Sequence, residues 1–357
     1  ALMLLPAVLS QFQSPVSADT HSSNFTQDEG EYLSLSGNLL VDGAGGPVFT
    51  LTGGARNDSG WRTLPDLTQQ YYAPLTTIVA GDSFSGHIRV LNGSQLGQEL
   101  NNNGFDTSLG VSSGSDGTLT VHGELHVVDD ETSYYTPSWY RAGNVAEGGR
   151  TTVGVSGNGE FNVTGGGQAS TISLYIGDSW SGEGTVNVAG KGVEHTSTLF
   201  AGDSFVGYAG VGRVNITSGG KKHSAGAGYI GTLEDSFGEV LVTGTGSEWT
   251  NYGLVVGGDG DGRLVISDGA SVSSAIGFIG GSYQFFPSST PEFLGGGAGY
   301  VTVTGKNAQD PTVRSKWEVS ELYVGYNGWA ELSIEQGAFI SSDTSYVGYD
   351  ANGFVEV

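Results

Sequence analysis

One unit recurs down most of this chain: an aliphatic residue and Gly, a polar turn, then Gly-x-aliphatic-x-aliphatic and a further Gly turn. Ile176-Gly177 leads to Gly184-Thr185-Val186-Asn187-Val188. Ile230-Gly231 leads to Gly238-Glu239-Val240-Leu241-Val242, and Val256-Gly257 to Gly262-Arg263-Leu264-Val265-Ile266. The leading Gly falls at 81, 110, 154, 177, 202, 231, 257, 280, 325 and 348. That is a base period of about 23 residues, with two units enlarged by roughly twenty.

Within a unit the apolar positions alternate. Leu264 and Ile266 point one way, Arg263 and Val265 the other, which is the period of a strand with one buried face. Helical spacing is nowhere sustained. A second strand, such as Thr171-Ile172-Ser173-Leu174-Tyr175-Ile176, leads into the Gly turn, and a variable third stretch such as Ser247-Glu248-Trp249-Thr250 follows the Gly-x-aliphatic strand. A unit this short cannot bury its own apolar face, but stacked copies can. Like strands would pair in parallel at about 4.8 Å per coil, so ten units predict a rod roughly 50 Å long. A Gly-rich β-sandwich also has turn signals every ~8–12 residues. It does not explain the same order repeated ten times. The expectation is an all-β, parallel β-solenoid.

Composition narrows the function classes. Thirteen basic residues against 37 acidic give a net charge of −24, which disfavours nucleic acid, whose dominant attraction is through phosphates. Gly is 62 of 357 residues, but with 9 Pro and no Gly-X-Y period the chain is not collagen. The absence of Cys excludes a disulfide scaffold, a thiolate metal site and a Cys nucleophile, and is compatible with export. The apolar start, Ala1-Leu2-Met3-Leu4-Leu5-Pro6-Ala7-Val8-Leu9, with Val16-Ser17-Ala18 before Asp19, has two readings. One is a signal-peptide remnant; the other is an ordered apolar arm packed on this or a neighbouring subunit. No apolar run approaches the ~20 residues a membrane helix needs.

The stretch Val240-Leu241-Val242-Thr243-Gly244-Thr245-Gly246-Ser247-Glu248-Trp249, continuing through Gly262-Arg263-Leu264-Val265-Ile266-Ser267-Asp268-Gly269-Ala270, resembles the repeat of autotransporter passengers and PEP-CTERM bacterial proteins. The likeness covers roughly residues 75–357. It implies a right-handed parallel β-helix, export, and a surface or extracellular place on a Gram-negative or similar bacterium. It is specific as a repeat and unspecific as a function. No outer-membrane barrel or Pro-Glu-Pro tail is present, and the sequence stops inside a repeat, at Val355-Glu356-Val357. That reads either as a piece of a longer protein or as an edge strand offered to another molecule.

The expected organisation is an apolar arm or signal remnant over 1–30, an N-terminal β capping region over 31–75, and the solenoid over 76–357. Insertions at 127–149 and 281–297 are expected to emerge as loops, and loops carry function more often than coils do. The first holds Tyr134, Tyr135, Trp139 and Tyr140; the second Tyr283, Phe285, Phe286 and Phe293. These aromatics are the candidate contact residues, for sugar rings or for a neighbouring subunit. Three Gly-Asp-Ser-aromatic segments, at Asp82-Ser83-Phe84, Asp178-Ser179-Trp180 and Asp203-Ser204-Phe205, read as stacked turns. A Ser nucleophile needs a nearby His, and the six His show no matching repetition. Gly257-Gly258-Asp259-Gly260-Asp261-Gly262 approaches a calcium repeat, but Gly262 stands where the ligand Asp belongs. Asp259 and Asp261 are thus weak calcium candidates, and no dedicated cofactor is expected. A β-helix polysaccharide enzyme needs a carboxylate cluster with Arg or Lys on one face, which thirteen basic residues do not assemble. The expected role is a secreted structural or adhesive rod of a bacterial surface, not an enzyme, self-associating head-to-tail or laterally. The alternatives are a polysaccharide-acting β-helix enzyme and a carbohydrate-binding module.

Overall fold

The computed structural model describes residues 149–193, 195–281 and 296–357 continuously, residues 82–91 and 106–122, and further strands between Val16 and Arg141. Strands and turns make up the described residues, and nearly all the pairing is parallel. Two large sheets run the length of the stack. One holds twelve strands in strict rung order; the other holds sixteen, with short branches. The chain is a parallel β-solenoid, a β-helix repeat protein.

Each full rung contributes one strand to each sheet. The shorter strand is the Gly-x-aliphatic-x-aliphatic segment, as in Asp261–Ser267, whose burial alternates along the strand. Leu264 and Ile266 are fully buried, and Val240 pairs directly with Leu264 one rung away. Apolar columns therefore line the interior: Phe161, Val186, Val214, Val240, Leu264 and Val301 form one. The outward slot between the two aliphatics is a polar column in part. The Asn187 amide donates to Asn162 Oδ1 at 2.8 Å, and the Asn215 amide to Asn187 Oδ1 at 2.9 Å. These Asn residues follow the repeat because each supplies the next rung's hydrogen-bond partner.

The longer strand unites the two stretches that the sequence reads separately. Glu248–Val256 and Ser271–Ile279 each run nine residues. Their register skips one residue: Asn251 pairs with Ser274 and Gly253 with Ile276, leaving Tyr252 and Ala275 between. In Gln168–Ile176, Ala169 and Thr171 are buried, then Leu174 and Ile176, so the alternation resets at the skip. The strand bends there, and each described rung with a nine-residue strand presents three short stretches to the interior.

The two recurring Gly positions of the unit answer two different demands. Gly257 has φ +73°, where an L side chain is strained, and a Cβ there would run into the Ala298 backbone. Gly262 has no such φ, but a Cβ on it would meet the Gly257 nitrogen and the Ile230 carbonyl of the rung below.

One unit is shifted relative to the sequence reading. The turn Gly expected at 202 is Gly207, with φ +69°, which follows Val206 and leads into Val211–Thr217. Gly202 instead lies at the bend of the strand Thr198–Val206. The reading slipped because the extra residues lie earlier, in an enlarged turn closed by an antiparallel bridge between Lys191 and Thr196. A similar enlargement, bridged by Lys306 and Arg314, supplies part of the long step to Val324-Gly325.

The sheets also extend through the N-terminal residues. Val16–His21 pairs in parallel with Leu35–Val41, and Phe25–Gln27 with Val48–Leu51, in the same two stacks. The insertion over 127–149 is only partly a loop. Leu125–Val128 and Thr132–Tyr135 form an antiparallel hairpin, whereas Ser138–Arg141 is a solenoid strand paired with Gln95–Gln98 and Gln168–Ile176.

Candidate functional site

Three neighbouring strands, Thr198–Val206, Lys221–Ser224 and Glu248–Val256, carry the most unusual chemistry of the described residues, on both their faces. On the inner face, alternation gives one inward column whose members pair in register: Ala169, Leu199, Lys222, Trp249, Val272 and Trp317. All but Lys222 are apolar. Lys222 is completely buried. Its Nζ donates to Ser204 Oγ and to Ser224 Oγ, both at 2.8 Å, and lies 5.2 Å from the centre of the Trp249 ring. Trp249 Nε1 donates to Ser224 Oγ at 3.2 Å. The side-chain amide of Asn251, 9% exposed, faces the same interior with no hydrogen-bond partner among the described residues.

Burial drives the Lys222 pKa from 10.5 down to about 7, because no carboxylate offsets the cost of a charge in this interior. An amine of that basicity beside a Ser hydroxyl is the arrangement of a base and a nucleophile. Here it is closed to substrate. Ser204 is fully buried, Ser224 is 5% exposed, and both hydroxyls engage the lysine inside the coil. The cluster acts on the stability of the stack.

On the outer face of the same strands is a cleft of about 300 Å³, lined by Ile172, Phe200, Gly202, His223, Ala225 and Thr250 together with Ser170, Thr171, Ala201 and Ser224. Phe200 is 45% exposed and stacks on His223, ring centres 5.2 Å apart. His223 Nδ1 is 2.7 Å from Thr250 Oγ1. Partial burial lowers the His223 pKa, and Lys221 and Lys222 act in the same direction against Glu248. Lys221 is itself paired with Glu248 at 2.9 Å.

A third feature runs along the flank of the longer strands. Tyr175, Phe205 and Tyr229 stack at 4.6 and 5.1 Å, and Phe278, Tyr323 and Tyr346 at 4.9 and 4.8 Å. Val255 occupies the register position between the two stacks. Tyr208, Tyr326 and Tyr349 add edge-on contacts. Arg150 lies 3.7 Å over the Tyr175 ring and pairs with Asp178. Burial raises the Asp178 pKa by more than Arg150 lowers it.

The residues singled out in the sequence are dispersed. Tyr134 and Tyr135 lie in the hairpin strand Thr132–Tyr135, and Trp139 and Tyr140 in the solenoid strand Ser138–Arg141, with Trp139 in register with Ala169. The expectation of a free loop is therefore corrected for Trp139 and Tyr140: Trp139 pairs with Leu96 on one side and Ala169 on the other, and Tyr140 pairs with Gly97. Tyr283, Phe285, Phe286 and Phe293 lie outside the described residues. Asp259 is in the turn before Asp261–Ser267, and Asp261 is exposed at that strand's start, its N–H donating to the Ser236 carbonyl at 2.9 Å. Among the described residues no three His, Cys, Asp or Glu side chains come together as a metal site. The Gly-Asp-Ser segments diverge. Ser179 Oγ donates to the Val155 carbonyl at 2.6 Å within a turn. Asp203, Ser204 and Phe205 are strand residues: Asp203 accepts from the Ala227 N–H at 2.8 Å, Ser204 joins Lys222, and Phe205 joins the ring stack.

Sequence reasoning missed Lys222. The signal was present: aligned unit by unit, it stands where other units have Leu199, Trp249 and Trp317. Comparison with protein-family models, with curated proteins and with solved structures found no match. The described residues contain no helix long and apolar enough to cross a membrane.

Proposed function

We propose that this chain is an extracellular structural and adhesive rod of a bacterial surface, spanning distance and presenting side chains along its flanks. The observation that carries this reading is the ladder order of its side chains. Amides, aromatic rings and aliphatics each continue from rung to rung in columns, so the chemistry of the described residues is spread along an axis. The likeness of the repeat to autotransporter passengers supports export and surface display.

Self-association belongs to the same reading. Rods of this kind associate end to end or flank to flank through further copies of the same chain. Negative-stain electron microscopy of the purified chain tests this. The expected images show long rods associated with one another. Compact particles with no long axis would overturn the rod, and dispersed single rods at every concentration would overturn self-association.

A further inference from the structure

The cleft on the outer face of Thr198–Val206 and Lys221–Ser224 exists because of an interruption in one column. At the bend of successive long strands the side chains run Ile172, Gly202, Ala225 with Gly226, then Tyr252. The Tyr252 N–H donates to the Gly226 carbonyl at 3.0 Å, so these bends lie on adjacent rungs. Between a branched aliphatic and an aromatic, two rungs thus carry almost no side chain. Gly202 is held to that size, since a Cβ there would run into the Ile172 carbonyl. The notch left behind is walled by Phe200 and His223.

The wall is asymmetric. One face of Phe200 stacks on His223; in the same column on the other side stands only Ser170, which pairs with Phe200 in register. An aromatic ring 45% exposed, with a short hydroxyl side chain below it, offers an apolar face bordered by hydrogen-bonding groups. Ser170 and Thr250 supply hydroxyls and His223 a ring nitrogen. No lining residue is a carboxylate, Lys or Arg. The net charge of −24 repels anionic ligands at long range, and a neutral lining gives a cation no counter-charge. The volume, about 300 Å³, stands at the lower end of small-ligand sites, which suits one ring rather than an extended molecule.

We propose that this notch binds one pyranose ring of a neutral glycan, the apolar face of the sugar against Phe200 and its hydroxyls on Ser170, Thr250 and His223. The proposal rests on the adhesive reading above and names the ligand class. It places that ligand on the body of the rod, not on the aromatic insertions. Pyranoses are matched to such a site because they combine a face of C–H groups with a rim of hydroxyls, and an aromatic ring takes up that apolar face.

The test is a nuclear magnetic resonance titration of the full chain with methyl glycosides of glucose, galactose and mannose and with N-acetylglucosamine. A single ring bound in an open notch is expected to bind with millimolar affinity. At least one sugar should shift the Phe200 and His223 ring signals in a saturable manner. Phe200→Ala should weaken that sugar roughly tenfold, the loss expected for removing a stacking ring. Ala225→Leu, which fills the notch and leaves Phe200 in place, should abolish the shifts. Both variants should retain the β circular-dichroism spectrum, since Phe200 is half exposed and Ala225 faces the cleft. Saturable binding that neither variant alters would overturn the site, as would no response to any of the four sugars. Because rods and end-to-end association are read separately by microscopy, a failed titration with rods intact removes the sugar site and leaves the structural reading standing.

Discussion

Lys222 illustrates how one side chain sets a property of its whole neighbourhood. Its pKa is about 7 in the fold and near 10.5 in an unfolded chain, so between those values the unfolded state holds the more protons. Stability therefore rises as pH increases from about 7 towards 10.5, and is lost again as pH falls through 7, below which the lysine is charged in both states. Burial raises the pKa of Tyr175 and Tyr229, so their effect has the opposite sign and sets in near the ordinary tyrosine value of about 10; it is shared by the native chain and a Lys222 variant and cancels in their difference. Replacing Lys222 with Met keeps the length of the side chain and removes the charge. Lys222→Met is expected to be more stable than the native chain at pH 7 by about 1–4 kcal/mol, the range found when buried charged groups give way to apolar ones. Urea denaturation at intervals from pH 6 to pH 10 checks this: the gap should narrow as pH rises. A constant gap would contradict the lowered pKa of Lys222, and a less stable variant at every pH would show that Lys222 is held as a favourable partner of Ser204 and Ser224 instead.

At the scale of the element, the rung is specified by few positions. The Gly pair and the two inward aliphatics are dictated by backbone crowding and by burial, so the short strand was legible from sequence alone: Leu264 and Ile266 face the interior as their alternation demands. The longer strand was legible only in pieces. Its bend at Tyr252 and Ala275 resets the alternation, so no single period describes Glu248–Val256, and the two halves read as separate stretches. Gly202 and Gly207 exchanged roles for a related reason. Both follow an aliphatic residue, and only the φ of +69° at Gly207 distinguishes the turn from the bend. The notch, for its part, is formed by residues from three units, whose adjacency depends on that register. The demand at the turn is measurable. Gly257→Ala should cost at least about 1–2 kcal/mol for the left-handed conformation alone, with more for the contact to Ala298. Gly296→Ala, where a Cβ meets nothing within 4 Å, should change stability by less than about 0.5 kcal/mol. Thermal melts of the two variants read the difference, and equal melting temperatures would mean that the turn Gly is replaceable.

At the scale of the whole molecule, the account depends on position in the stack rather than in the chain. In the short-strand sheet Thr120, Asn162, Asn187, Asn215, Leu241, Val265 and Thr302 occupy one outward column, rung after rung. Because the sheets are parallel and in register, residues added in a turn lengthen the chain without lengthening the rod. This is how a solenoid tolerates enlarged turns such as the one bridged by Lys191 and Thr196. It also separates the functions proposed here: the ladders hold the axis, while the notch beside Phe200 is a local departure from them. The absence of Cys allows site-specific labelling in pairs. Pulsed electron spin resonance between a label at Thr120 and labels at Leu241, Val265 and Thr302 measures the stack directly. At about 4.8 Å per rung, backbone separations of about 19, 24 and 29 Å are expected. The last two steps should be equal although the chain between Val265 and Thr302 is much longer than that between Leu241 and Val265. Separations that grow with the number of intervening residues, or a Thr302 label nearer to Thr120 than the Val265 label, would contradict the stacked solenoid.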